Sequence, residues 1–168
     1  CINLSQLEAT IASIGHVVFE TLANGREPAK PGNASLVRAP EDCYPCAGED
    51  QWCAVSVASD ADWAALCGAL DQRQWLSDPR FANLAARLRY RDELNDEIAR
   101  CTRKWQAREL MHCLQDAGIA AGVAQNVEDQ YLRDPHLKAR GFFERIVHLE
   151  KGQVVAPGIP LGFSDTPG

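Results

Sequence analysis

The chain has 168 residues and a mass of 18.4 kDa, which fits one domain of ordinary size. Its 17 basic and 23 acidic residues give a net charge of −6, which argues against a general nucleic-acid-binding protein because phosphates require a basic surface. Hydrophobic residues make up 46% and charged residues 24%, as in a globular protein. No apolar run approaches the roughly 20 residues of a membrane span, so we expect no membrane partner.

The N-terminal residues predict one amphipathic helix over residues 5–22. Its apolar positions recur at helical spacing, at Leu4, Leu7, Ile11, Ile14 and Val18. Ser5, with Glu8 three residues later, has the pattern of a capping box. Asn24-Gly25 is expected to end this helix, since glycine readily adopts the left-handed conformation found at helix ends.

A long loop is predicted over residues 24–42, which contain three prolines and two glycines. A loop of this length is uncommon inside a compact domain and is often functional. It carries Gly32-Asn33-Ala34 and then Arg38-Ala39-Pro40. Because glycine permits close approach of the backbone to a ligand, these six residues are candidates for a lid over a substrate. A plain connection between two elements is the alternative interpretation.

The middle of the chain predicts a hairpin followed by helices. Two strands are expected at 44–47 and 52–58, around the turn Gly48-Glu49-Asp50. Ser59 or Asp60 then caps a helix whose apolar face contains Trp63, Leu66, Cys67 and Leu70. Further helical segments are expected at 77–79, 83–102 and 107–117.

The last third of the chain predicts a short strand at 119–124, two short helices and a second hairpin. The helices are expected at 127–133 and 135–140, and the hairpin strands at 142–149 and 153–156. Residues 157–168 are rich in Pro and Gly and predict an extended tail. Strands and helices are segregated along the chain instead of alternating, which favours an α+β fold.

Seven cysteines are an odd number for a secreted disulfide framework, and most lie inside apolar patterns. We therefore expect them to be reduced, in a cytoplasmic protein. Cys43 and Cys46 have the spacing of a redox pair or of half a zinc site. No second pair follows at a suitable spacing, and this pair enters a strand and not a helix start, so we predict no metal site.

The remaining chemically active side chains form no catalytic pattern. The histidines are scattered, at His16, His112, His136 and His148. Within the helical pattern at 83–102, acidic residues lie among arginines, which predicts a solvated, salt-paired face. The residues concerned are Glu93, Asp96, Glu97, Arg87, Arg89, Arg91 and Arg100. The tryptophans are expected to pack in the core or against a neighbouring domain, at Trp52, Trp63, Trp75 and Trp105.

Short motifs follow one another in a fixed order along nearly the whole chain. The first motif spans residues 3–9 and begins with Asn3, where the family that these motifs resemble has an Asp. Gly32-Asn33-Ala34 follows it. The later motifs are the hairpin at 44–52, Asp78-Pro79-Arg80-Phe81, Asn83-x-x-Ala86-Arg87, Arg91-x-Glu93-Leu94, Leu114-x-x-Ala117-Gly118-Ile119, Asp134-Pro135-x-Leu137, Arg140-Gly141-Phe142 and Pro160-Leu161-Gly162-Phe163-Ser164. In this order and spacing they resemble the family III CoA-transferases, the CaiB/BaiF family.

This resemblance implies an enzyme that transfers CoA from an acyl-CoA to a free carboxylic acid. In such enzymes an Asp attacks the thioester and forms a mixed anhydride, after which the CoA thiolate leaves. That Asp and most of the CoA-binding surface precede the region that this chain resembles. The resemblance therefore implies no catalytic residue here, with coenzyme A as a substrate and no tightly bound cofactor. The six loop residues are its candidates for contact with the substrate.

The resemblance also implies a division of the chain into four segments. Residues 1–23 would be a helix packed on an absent large domain, and residues 24–42 a loop linker. Residues 43–156 would form a small α+β domain, and residues 157–168 an extended return segment. The chain is thus expected to be the C-terminal, small-domain portion of a homodimeric enzyme, and to be inactive alone. Apolar side chains should then be exposed or buried in a self-dimer, at Leu4, Leu7, Ile11, Ile159, Leu161 and Phe163.

Two other functions stay open at this point. Acyl-CoA racemases have the same fold and use a His and Asp pair, which would also precede this region. A noncatalytic binding or dimerisation module is the third hypothesis.

Overall fold

The computed structural model describes residues 4–25 and 32–162. Within these ranges helices accompany two antiparallel sheets, one of three strands and one of two. The structure is therefore an α+β fold, as the sequence predicts.

The N-terminal segment forms two helices, α1 (Gln6–Ser13) and α2 (Gly15–Asn24), so the prediction of one continuous helix is wrong. The break lies at Ile14, between a serine whose hydroxyl donates to the carbonyl of Ala9 and a glycine of low helix propensity. Both predicted ends are confirmed. The Ser5 hydroxyl accepts from the Glu8 amide at 3.3 Å, and Gly25 ends α2 with a φ of 61°.

The apolar side chains of α1 and α2 face solvent in the single chain, and neither helix contains a buried residue. Leu7 is 70% exposed and Leu22 is 77% exposed. Ile159 and Leu161 in the C-terminal segment are exposed as well, whereas Phe163 lies outside the described residues. Exposed apolar area of this extent is typical of a surface that another polypeptide covers.

The larger sheet contains β1 (Glu41–Pro45), β2 (Trp52–Ser56) and β3 (Ala120–Val123), in that order and antiparallel. The predicted first hairpin and the predicted third strand are thus confirmed. However, β1 begins at Glu41, so the last two residues of the predicted loop at 24–42 belong to a strand. Two acidic residues rarely open a strand, but here Glu41 pairs with Ser56 in the ladder and the Asp42 carboxylate accepts the next backbone N–H.

Helix α3 (Asp60–Ala69) begins as predicted, with a complete capping box between Ser59 and Asp62. The short turn that residues 77–79 are expected to open is present as one hydrogen-bonded turn, in which the Phe81 amide donates to the Asp78 carbonyl at 3.0 Å, but it is not helical. A 3₁₀ helix precedes it at Arg73–Ser77, and the Asp78 side chain pairs with Arg80.

The helix predicted over 83–102 is also divided, into α4 (Leu84–Arg89) and α5 (Arg91–Thr102). Tyr90 between them leaves helical geometry, with φ −103° and ψ 36°. Asn83 caps α4 by accepting from the Ala86 amide at 2.9 Å. Helix α6 (Ala107–Asp116) follows, and Gly118 terminates this region with a φ of 80°.

All fully buried side chains of the described residues lie between Ala39 and Ile119. The inner face of the larger sheet packs on α3, α5 and α6 through the residues Tyr44, Cys53, Val55, Trp63, Leu66, Leu94, Ile98, Leu110 and Leu114. Trp63 stacks on Trp75 with ring centroids 6.0 Å apart. Trp52 is outside this core and 38% exposed because strand alternation turns it to the outer face of β2, and its packing on another domain stays a prediction.

Arg87 is buried, which contradicts the prediction that the arginines of this region lie on a solvated face. Its Nε donates to the Ala39 carbonyl at 2.9 Å, and its Nη1 donates to the Phe81 carbonyl at 3.2 Å. Its Nη2 pairs with the Asp60 carboxylate at 2.6 Å, and the guanidinium lies 5.2 Å from the Trp63 ring centroid. These partners compensate the desolvation of the charge. The salt-paired surface is present further along, where Arg100 lies 3.2 Å from Glu97.

The C-terminal region contains α7 (Val127–Leu132), α8 (Pro135–Ala139), β4 (Phe143–His148) and β5 (Gly152–Pro157). The two short helices and the second hairpin are confirmed. Asp134 caps α8 by accepting from the Leu137 amide at 2.8 Å. No side chain at 120–162 is fully buried, and only Ala121 and Val123 of β3 pack against the core. The division into four segments stays a prediction.

We predict that Arg87→Met lowers the free energy of unfolding by about 3 kcal/mol, because it leaves two buried carbonyls without donors. Methionine keeps the bulk of the side chain, so the loss reports mainly the hydrogen bonds and the ion pair. Denaturant titration followed by circular dichroism measures it. The matched control is Arg103→Met, which removes one exposed charge. Equal stability of the two variants would contradict the assigned role of Arg87.

Candidate functional site

The outer face of the larger sheet forms the floor of a groove of about 450 Å³. Cys43, Ala54 and Gly122 lie opposite one another in the ladder and line this floor. Their small side chains leave room directly above the strands. The inner face of the same sheet packs on the core, so the floor is held rigidly from below.

One edge of the groove is polar and is built by the segment that leads into β1. Asn33, Glu41, Asp42 and Ser56 line it. Arg38 lies beside it, since its Nη1 donates to the Ser56 hydroxyl at 3.3 Å and its Nε is 3.8 Å from a Glu41 carboxylate oxygen. This edge therefore carries two carboxylates and one neighbouring cation.

The six residues predicted for substrate contact fall into two groups. Asn33 lines the polar edge and Arg38 lies beside it, and both are exposed, whereas Gly32 is exposed and Ala34 half-buried without lining the groove. Ala39 and Pro40 are buried, and the Pro40 carbonyl accepts from the Val57 amide at 2.9 Å. Ala39 and Pro40 thus support the edge from beneath. The contact of these residues with a substrate stays a prediction.

Asp42 is the centre of a hydrogen-bond network at this edge. Its Oδ1 accepts from the Cys43 amide at 2.7 Å and from the Asn33 side chain at 3.2 Å. Its Oδ2 accepts from the Asn95 side chain at 3.1 Å. Asn95 in turn accepts from the Tyr44 hydroxyl at 2.7 Å. Burial, and secondarily the charge of Asp42, raises the pKa of Tyr44 far above its usual value, so the hydroxyl remains a neutral donor.

Glu41 is engaged in the same manner. One of its carboxylate oxygens accepts from the Ser56 hydroxyl at 3.1 Å and faces Arg38. Both carboxylates at the groove therefore have donors already in place. Asp42 accepts three hydrogen bonds and Glu41 accepts one, so these oxygens are directed at protein donors and away from a substrate carbon. The arrangement suits binding better than covalent chemistry.

The Cys-x-x-Cys spacing does not produce a redox pair. Cys46 is buried with its thiol 3.7 Å from the Tyr44 carbonyl, and burial raises the pKa of that thiol instead of lowering it. Burial also raises the pKa of Cys53 and of Cys67 to about 12. Every cysteine of the described residues is a free thiol, and Cys1 lies outside them.

Other features of the described residues add no reaction centre. Within residues 4–25 and 32–162, His, Cys, Asp and Glu side chains form no group of three suited to a metal ion. In the same ranges no helix combines the length and apolar character that crossing a bilayer requires. A depression of about 590 Å³ lies between α8 and the second hairpin, with His136 and Arg140 at its wall. His148 serves the hairpin turn, where its Nδ1 accepts from the Glu150 amide at 3.2 Å.

Sequence reasoning found Asn33 and Arg38 but missed Asp42, Asn95 and Arg91 as parts of this edge. The Arg91 side chain donates to the Ser35 carbonyl. The available signal was a spacing of four residues from Arg87 through Arg91 to Asn95, which places polar side chains on one side of a helix.

We predict that alkylation separates the thiols by exposure and pKa. At pH 8, iodoacetamide should modify the half-exposed Cys43 and Cys113 and leave Cys53 and Cys67 unmodified. A thiol whose pKa is raised to about 12 stays protonated well above pH 9, and only the thiolate reacts. Peptide mass spectrometry across pH 7–9 measures the rates. Modification of Cys53 as fast as Cys43 in the folded protein would contradict the burial described.

Comparison with known proteins identifies relatives over the full chain. A family model described as CoA-transferase family III matches residues 1–168. The chain is 31% identical over 147 residues to "Probable CoA-transferase Rv1866" of Mycobacterium tuberculosis, with 88% of this chain and 18% of that protein covered. It is 29% identical over 169 residues to the succinate–glutarate CoA-transferase of Agrobacterium fabrum, with 99% and 41% covered.

A solved structure gives the same result for the fold. The crystal structure of a CaiB/BaiF family protein from Brucella suis superposes with a TM-score of 0.80 at 28% sequence identity. The match covers 93% of this chain and 39% of that one. This chain therefore spans between 18% and 41% of the length of these three relatives.

Proposed function

The chain belongs to CoA-transferase family III, and we propose that it is part of an enzyme that transfers CoA from an acyl-CoA to a free carboxylic acid. The observation that carries this proposal is the family match over residues 1–168. The name of the Agrobacterium fabrum relative describes a CoA-transferase acting between two dicarboxylic acids. Coenzyme A is then a substrate, and the acyl-CoA and the acceptor acid are the ligands.

In the proposed reaction the attacking carboxylate lies outside these 168 residues. An Asp oxygen bonds to the acyl carbon of the thioester while the carbon–sulfur bond breaks, which yields a mixed anhydride and the CoA thiolate. Two observations support this placement. The carboxylates of Glu41 and Asp42, the acidic residues that line the groove, are held by hydrogen bonds. The chain also spans 41% of the A. fabrum relative, which leaves most of such an enzyme to other segments.

The role proposed for this chain is to hold an uncharged part of the acyl-CoA on the sheet. The groove floor is lined by small side chains at Cys43, Ala54 and Gly122, which suit a slender chain such as the pantetheine arm. The acidic edge, with Glu41 and Asp42, repels phosphates, so the nucleotide part of CoA is assigned elsewhere. Within this proposal Gly32, Asn33, Ala34 and Arg38 face the ligand, while Ala39 and Pro40 support them.

The exposed apolar faces of α1 and α2 support a second part of the proposal, that this chain functions in a homodimer together with a larger catalytic portion. Leu4, Leu7, Phe19 and Leu22 are each at least 70% exposed. Burial of such a surface is favourable by about 25 cal/mol per Å² of apolar area. The racemase and the noncatalytic module remain hypotheses that no observation on this chain favours.

We predict that acetyl-CoA protects Cys43 from alkylation at least threefold, because Cys43 lies on the groove floor. Cys113 is the control within the same molecule, since it lies on α6, where its thiol faces the Ala69 carbonyl 3.9 Å away. Both rates come from one peptide-mapping experiment on the folded chain. Equal rates at Cys43 with and without millimolar acetyl-CoA would contradict the proposed binding role.

We also predict that the chain alone forms no covalent acyl adduct with an acyl-CoA, because its groove carboxylates are engaged as acceptors. Intact-mass spectrometry after incubation with succinyl-CoA and trapping with hydroxylamine measures this. The Agrobacterium fabrum succinate–glutarate CoA-transferase is the positive control for the trapping chemistry. An adduct on any Asp or Glu of this chain would overturn the placement of the nucleophile.

A further inference from the structure

Three polar side chains on α4 and α5 hold residues 35–42, the segment that builds the polar edge of the groove, by hydrogen bonds. Arg87 donates to the Ala39 carbonyl at 2.9 Å, Arg91 donates to the Ser35 carbonyl, and Asn95 donates to the Asp42 carboxylate at 3.1 Å. Arg91 and Asn95 are spaced by four on α5 and lie on the same side of that helix. Arg87 lies on α4, beyond the break at Tyr90, and its hydrogen bond to Ala39 shows that it reaches the same segment.

The segment at 32–40 has few other contacts. It belongs to no strand or helix, and Leu36 and Val37 at its tip are 82% and 70% exposed. Its other hydrogen bonds join the Val37 amide to the Ser35 hydroxyl, the Asn33 side chain to Asp42, and the Val57 amide to the Pro40 carbonyl, beside the Arg38 contacts with Ser56 and Glu41. Only Ala39 and Pro40 are buried, so the exposed tip opens at small cost in free energy unless specific contacts hold it.

We propose that Arg87, Arg91 and Asn95 are positioning residues, which fix the segment at 35–42 and thereby set the shape of the groove and its affinity for an acyl-CoA. The effect on the affinity for an acyl-CoA rests on the proposed function. The contact with Asn95 also orients Asp42, whose other oxygen holds the Asn33 side chain at the groove. Hydrogen bonds through Asn95 and Asp42 therefore connect the buried Tyr44 hydroxyl to Asn33, which is proposed to face the ligand.

Arg91→Gln tests these contacts without removing the buried Arg87. Trypsin cleavage after the exposed Arg38 reports the segment, because the contacts at Ser35 and Ala39 flank that bond. We expect cleavage about tenfold faster than in wild type, as for loss of one charge-assisted hydrogen bond. Arg91→Lys, which keeps a donor, should restore part of the protection. Arg103→Gln is the control, since it removes the same charge from an exposed site.

The same variants separate positioning from general destabilisation. The thermal midpoint of Arg91→Gln should lie within about 3 °C of that of Arg103→Gln. The acetyl-CoA concentration that half-protects Cys43 should rise about fivefold in Arg91→Gln and stay unchanged in the control.

Cleavage after Arg38 at the wild-type rate overturns the proposal, and so does a large fall in the thermal midpoint with faster cleavage throughout the chain. Faster cleavage after Arg38 with unchanged protection of Cys43 overturns the proposed effect on the affinity for an acyl-CoA. Absence of protection in the wild-type chain is a failure of the proposed function. In that case the cleavage rate alone decides whether these residues position the segment.

Discussion

The buried guanidinium of Arg87 is the interaction on which the rest of the structure depends. It joins the end of the groove segment at Ala39, the start of α3 at Asp60 and the turn at Phe81, while it lies over the ring of Trp63. A buried charge is tolerated only where its donors find partners, so these separate stretches of chain are held together in one arrangement. Arg87 thus fixes both the start of α3 at the core and the segment that forms the groove edge.

The larger sheet has a different task on each face. Its inner face packs on helices and contributes Tyr44, Cys53 and Val55 to the core. Its outer face presents small residues and Glu41, whose carboxylate accepts from Ser56, while Asp42 at the same edge is paired with Val55 and accepts from Asn95 on α5. A rigid surface whose carboxylates are already engaged in hydrogen bonds is consistent with the proposed role, in which this chain holds part of a substrate while a reactive group acts from another segment. Such a separation of binding surface and reactive group agrees with the observation that the chain spans 41% of a related CoA-transferase.

Two regions, α1–α2 and the residues from 124 to 162, lie outside the core and contain no fully buried side chain. The second hairpin forms a sheet of only two strands, an arrangement of marginal stability in water by itself. Both regions expose large apolar residues, Phe19 and Val147 among them. Their stability is therefore expected to come from contacts with further polypeptide, which is consistent with the homodimer proposed above.

The sequence by itself determined the features whose causes are local. Ser59 and Asp134 cap helices, glycines 25, 118 and 152 mark turns or helix ends, and strand alternation defines both hairpins. The α+β class followed from these elements and their order, whereas the family followed from the resemblance of the ordered sequence motifs. The candidate site was found only in part, because Asn33 lies in a loop of unusual composition that the sequence reveals directly.

The tertiary structure decided the features whose partners are distant along the chain. Arg87 is buried because an acceptor 48 residues away, the Ala39 carbonyl, meets its guanidinium. Asp42 enters a strand because Asn95, 53 residues later, satisfies its carboxylate. Arginine and aspartate are usually exposed, so their residue types give no sign of such partners. Only the folded chain brings the donors and acceptors together, and with them the edge of the groove.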